Sequence, residues 1–80
     1  MRLISQNGEF DVPYEITSLS RTGNIIRAYA PIVSEKGTVM ARYSTEEKAK
    51  KAMEMLHSAY HDAVTHDNVS AFRFPKDDEV

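Results

Sequence analysis

The sequence predicts an α+β fold: an antiparallel sheet of about four or five strands with one long helix packed across one face. Three observations predict it. The first half of the chain is a series of short strand-favouring runs, each bounded by Gly, Pro or Asn. The apolar pattern then changes from alternation to a helical period of about 3.6 over residues 45–65. The length of 80 residues, with 41% hydrophobic and 28% charged, suits one packed core and leaves no room for a second domain.

The elements follow in chain order. Leu3 to Gln6 and Glu9 to Val12 read as the arms of a hairpin around Asn7-Gly8, a pair that accepts the positive φ of a tight turn. Pro13 lacks an N–H and interrupts that ladder, with Tyr14 expected on the rim of the core. A poorly patterned run spans Tyr14 to Leu19, and Arg21-Thr22-Gly23-Asn24 is the next turn. Ile25 to Ala30 and Thr38 to Tyr43 read as an antiparallel pair joined through a polar turn, Ser34-Glu35-Lys36-Gly37. Ser44-Thr45-Glu46-Glu47 reads as a capping box in which the Ser44 hydroxyl accepts from the Glu47 N–H. The helix runs from Thr45 to about Thr65, with Ala49, Ala52, Met53, Leu56, Ala59, Tyr60, Ala63 and Val64 on one arc. Glu46–Lys50 and Glu47–Lys51 are i,i+4 pairs on its exposed turns. Asp67-Asn68 ends it, and Val69 to Phe74 reads as a last strand. Residues 1–75 form the single domain, and 76–80 form an acidic tail, expected to be disordered.

Alternation assigns two faces to the sheet. Leu3, Ile26, Ala28, Val39, Ala41, Phe72 and Phe74 face the helix. Arg2, Arg27, Tyr29, Met40, Arg42 and Arg73 fall on the open face. Four arginines with an aromatic among them would make a positive platform on a chain of net charge −2. Three readings stay open for it: a solvated face, a surface for a protein or for self-association, or a platform that stacks single-stranded nucleic acid. A slip of one residue in register would invert these assignments.

Other chemistry is sparse. His57 and His61 stand four apart on the helix, with Glu54 one turn before them, which makes a weak metal-ligand set. No nucleophile, phosphate loop or carboxylate pair stands out, so no catalytic residue and no cofactor is expected. There is no cysteine, which suits a reducing compartment. No apolar run approaches the ~20 residues of a membrane span, and the opening lacks the apolar stretch of a signal peptide.

Two segments carry a resemblance. Met1 to Gly8 followed by Asp11-Val12-Pro13-Tyr14-Glu15, and Tyr43-Ser44-Thr45-Glu46-Glu47-Lys48-Ala49 followed by Lys51 to Leu56, resemble the shared hairpin and strand-to-helix segments of small proteins encoded by phages and prophages of Gram-positive bacteria. The resemblance implies a bacterial cytoplasmic setting and supplies no active-site residue. The expected function is a non-enzymatic accessory protein that binds another protein, with a homodimer as one form of this. Binding of single-stranded nucleic acid is the alternative, and a small metal protein or enzyme built on the helix histidines a distant one.

Overall fold

A computed structural model describes residues 1–29, 37–65 and 71–80. The expected polar turn at 34–36, the helix break at Asp67-Asn68 and the start of the last strand at Val69 lie outside the described residues. The elements are β1 (Arg2–Ile4), β2 (Asp11–Pro13), β3 (Ser18–Thr22), β4 (Ile25–Tyr29), β5 (Thr38–Arg42), α1 (Glu46–Thr65) and β6 (Ala71–Arg73). The class is α+β, as the sequence predicts.

The strands form two three-stranded sheets, ordered β2-β1-β6 and β3-β4-β5, in place of a single sheet of four or five. The division follows from Pro13. It closes β2, and the chain then turns through a 3₁₀ segment, Tyr14–Ile16, before β3 begins a new ladder. The return from α1 brings β6 parallel to β1, with Leu3 opposite Phe72. A parallel neighbour needs a long crossover, here the whole of the second sheet and the helix. The sheets are joined where the Gln6 N–H donates to the Met40 carbonyl at 2.7 Å and the Arg42 N–H donates to Gln6 Oε1 at 3.1 Å.

The first hairpin has a wider loop than Asn7-Gly8 alone implies. β1 ends at Ile4 and β2 starts at Asp11, and buried Ser5 organises the residues between. Its hydroxyl donates to Asn7 Oδ1 at 2.6 Å and accepts from the Phe10 N–H at 3.0 Å. Asn7 Oδ1 also takes the Glu9 N–H. These bonds satisfy a buried hydroxyl and define the loop, which the Asn-Gly signal by itself does not.

Thr45, not Ser44, caps α1: the Lys48 N–H donates to Thr45 Oγ1 at 3.2 Å. The Ser44 N–H is taken instead by Asp77 Oδ1 at 2.7 Å. Glu46 and Lys50 pair at 3.7 Å across one turn. Ala49, Ala52 and Leu56 are buried, whereas Val64 at the far end of the stripe is 63% exposed. The Tyr60 ring lies 4.6 Å from the Tyr14 ring and closes the rim of the core.

Both sheets contribute to one core under α1. Leu3, Ile26, Ala28, Ala41 and Phe74 are buried as alternation places them. Phe72 is half-buried and meets Phe74 edge-on at 5.5 Å. Val39 and Met40 are exchanged relative to the sequence-based assignment. Ile26 pairs with Ala41 but Arg27 pairs with Val39, so a bulge inserts Met40 between the two pairs. The bulge buries Met40 (1% exposed) beside Ala41 and turns Val39 (38% exposed) outward.

Residues 76–80, expected to fray, form a 3₁₀ turn (Asp77–Glu79) against the start of α1. Lys48 Nζ holds the Asp77 carbonyl at 2.8 Å and its carboxylate at 3.2 Å. The Tyr43 hydroxyl donates to the Pro75 carbonyl at 2.8 Å, and Val80 packs on the core.

Candidate functional site

The outer faces of the two sheets hold the arginines, and strand register decides which of them share a surface. On β2-β1-β6, Arg2, Ile4, Asp11, Pro13, Ala71 and Arg73 point away from Leu3 and the core. Arg2 Nε donates to Asp11 Oδ1 at 2.7 Å, and its Nη2 donates to the Asp11 carbonyl. Arg73 Nη2 reaches back over the hairpin loop to the Gln6 carbonyl at 3.1 Å. Both guanidinium groups are engaged within the molecule.

On β3-β4-β5 the outward set is Ser18, Ser20, Thr22, Ile25, Arg27, Tyr29, Val39 and Arg42. None of these is an acid. Arg27 lies opposite Ser20 on one side and Val39 on the other, and Arg42 lies opposite Ile25. The two arginines are therefore diagonal neighbours on adjacent strands, within reach of one bound carboxylate-bearing segment. Among the described residues neither guanidinium makes a hydrogen bond or ion pair, whereas Arg21, directed to the helix side, is paired with Glu46 at 3.1 Å.

The aromatic of this face is set by a glycine. Gly37 has φ +78°, and a Cβ built there would stand 2.5 Å from Tyr29 Cε1. The Tyr29 ring thus lies directly on the backbone at the start of β5, while the residue stays 37% exposed. A groove of about 510 Å³ runs beside it, between the hairpin loop and the outer edge of β5. Gln6, Asn7 and Phe10 form one wall; Gly37 to Arg42 form the other. Phe10 is 43% exposed there.

Of the six residues that sequence assigns to one open platform, the structure brings Arg27, Tyr29 and Arg42 together. Arg2 and Arg73 stand on the other sheet, and Met40 is in the core because of the bulge. Glu54, His57 and His61 are exposed on α1, and among the described residues no group of three His, Asp or Glu side chains is placed to hold a metal ion. No helix among the described residues is long and apolar enough to cross a membrane. Sequence reasoning passed over Ser5, Gln6, Phe10 and Gly37. Only Gly37 carries a local signal, a glycine opening a strand.

Among the described residues, three titratable groups depart from their ordinary values, all away from the β3-β4-β5 face. The N-terminal amine, 2.6 Å from Glu15 Oε2, holds the Glu15 carboxyl below 4.5. The Ser44 N–H, and then Lys48, hold Asp77 below 3.8. Burial, aided by the charges of Asp77 and Glu79, pushes the Tyr43 hydroxyl well above 10.

Compared with protein-family models, with curated proteins and with solved structures, the chain matches none. No activity passes to it from a relative, so its function must be argued from the geometry.

Proposed function

We propose that this chain is a non-enzymatic binding module that engages an acidic surface of another protein through the outer face of β3-β4-β5. One observation carries the proposal: that face presents Arg27 and Arg42 with guanidinium groups unpaired among the described residues and no acid among the face's own described residues, on a chain of net charge −2. Arginine and tyrosine are enriched at protein interfaces, and the exposed Tyr29 and Val39, with the half-buried Ile25, supply apolar area around the two charges. Two copies meeting through this face would oppose like charges, so the partner is a different protein rather than a second copy. A single exposed tyrosine and an overall negative charge are a poor basis for stacking and holding a nucleic-acid strand. An accessory role of the kind the resemblance to phage and prophage proteins implies accords with a module that binds and does no chemistry.

The test is capture from a bacterial lysate with immobilised protein, compared with Arg27→Glu/Arg42→Glu and with Arg2→Glu. The double variant loses the captured protein, with affinity down by on the order of 100-fold, because like charge then faces like. Arg2→Glu retains it. Capture that is indifferent to the double variant would refute the assignment of the face.

A further inference from the structure

The groove between the hairpin loop and β5 adjoins this face, and Val39 and Arg42 belong to both. We infer that the groove receives an extended acidic segment of the partner protein, with a carboxylate on Arg42 and the next apolar side chain between Phe10 and Val39. The inference rests on the proposed binding face and names what docks beside it.

Charge complementarity selects the occupant. Among the described residues the groove is lined by Gln6, Asn7, Phe10 and residues 37–42, and of these Arg42 alone is charged. Its guanidinium has no partner among the described residues, while its backbone N–H is fixed by Gln6 Oε1. The arginine is thus anchored at its base and free at its tip. A guanidinium in that state suits a carboxylate, which it grips with two parallel N–H donors.

The shape selects an extended segment. One wall is a strand of five residues, Thr38–Arg42, about 17 Å at ~3.3 Å per residue. The loop is bonded to this wall from the strand's middle to its C-terminal end: the Gln6 N–H meets the Met40 carbonyl, and Gln6 Oε1 meets the Arg42 N–H. Towards Gly37 the walls are not bonded to each other among the described residues, and of the lining residues Phe10 and Val39 are both exposed. An extended chain suits this layout, because its side chains two apart share a face, as Val39 and Arg42 share one across the β5 bulge, and can serve the apolar end and the arginine together.

The experiment is fluorescence polarisation with a labelled, end-blocked octapeptide of the repeat Asp-Ser-Leu-Ser, which puts Asp and Leu on one face. Its controls are the same peptide with Asn for Asp and with Ser for Leu. The protein binds the parent peptide, and each control binds at least about tenfold more weakly, as loss of one good contact class implies. Arg42→Glu and Phe10→Ser each weaken binding about tenfold or more. Phe10 is already 43% exposed, so Phe10→Ser keeps the fold, which circular dichroism checks. If the parent peptide fails to bind, or binds Phe10→Ser as well as wild type, the groove is not the docking site. Capture of a partner that is still lost in Arg27→Glu/Arg42→Glu would then leave the face assignment standing. Asn and Asp peptides of equal affinity would overturn the role of Arg42.

Discussion

The outer faces of the two sheets carry two arginines each and differ in what those arginines do. On β2-β1-β6, Arg2 is joined to Asp11 and Arg73 to the Gln6 carbonyl. On β3-β4-β5, the guanidinium groups of Arg27 and Arg42 are bonded to nothing among the described residues. Composition and alternation treat the four alike, and neighbours separate them. An arginine diagonal to an acid on the next strand, as Arg2 is to Asp11, is neutralised within the sheet, whereas arginines on strands whose outward positions are Ser, Ile, Thr and Val remain available. Availability of charge, more than its number, distinguishes a binding face from a solvated one.

The largest expected effect concerns the bulge that makes the second face. Met40→Ala should cost about 2–5 kcal/mol, as truncation of a buried methionine does. Val39→Ala, at an exposed position, should stay within about 0.5 kcal/mol. Urea unfolding of the two variants measures the difference, and equal costs would mean that β5 pairs without the bulge and that the face is composed otherwise.

Gly37→Ala should destabilise by about 1–2 kcal/mol, since φ is positive there and the new Cβ meets the Tyr29 ring. It should also weaken partner binding by moving Tyr29, measured on protein shown to be folded. A stable variant with unchanged binding would remove Tyr29 from the face.

A smaller effect tests the opposite face. A double-mutant cycle on Arg2 and Asp11, both about half exposed, should give a coupling of about 0.2–1 kcal/mol in stability and none in partner binding. Coupling in binding would erase the contrast between the sheets.

The pH dependence sharpens the same contrast. Glu15 and Asp77 have folded values below the ordinary 4.5 and 3.8, so the unfolded chain binds more protons there. Their stabilisation is fully present above those values and is lost as pH falls through the lower folded ones. Tyr43 has the opposite sign: its folded value lies above 10, so its contribution holds below pH 10 and is lost as pH rises beyond it. Thermal melts from pH 2 to 11 should therefore show stability falling at both ends. Asp77→Asn should flatten the acid limb, whereas Arg27→Gln should leave both limbs unchanged, because the Arg27 guanidinium pairs with no acid among the described residues.

Much of the fold is legible in the sequence. The α1 stripe, the strands at Ile25 and Thr38 and the turn at Gly23 follow from period and turn residues. Ala49, Ala52 and Leu56 are buried as the wheel places them. The division into two sheets is less legible, because the parallel partner of β1 is β6, some seventy residues away, and no local pattern encodes that pairing. The bulge is invisible for another reason: Val39, Met40 and Ala41 are all apolar, so alternation has no polar residue with which to reveal a change of phase. The site was half legible. Arg27, Tyr29 and Arg42 follow from alternation, but the engagement of Arg2 and Arg73 depends on Asp11 and Gln6, which only the folded chain brings to them.

The most direct test of the contrast is an NMR titration of ¹⁵N-labelled protein with hexaglutamate, following the side-chain Nε–Hε signals of the arginines. The account predicts that Arg27 and Arg42 shift together and saturate while Arg2 and Arg73 stay in place. Equal shifts at all four, or none at Arg27 and Arg42, would contradict it.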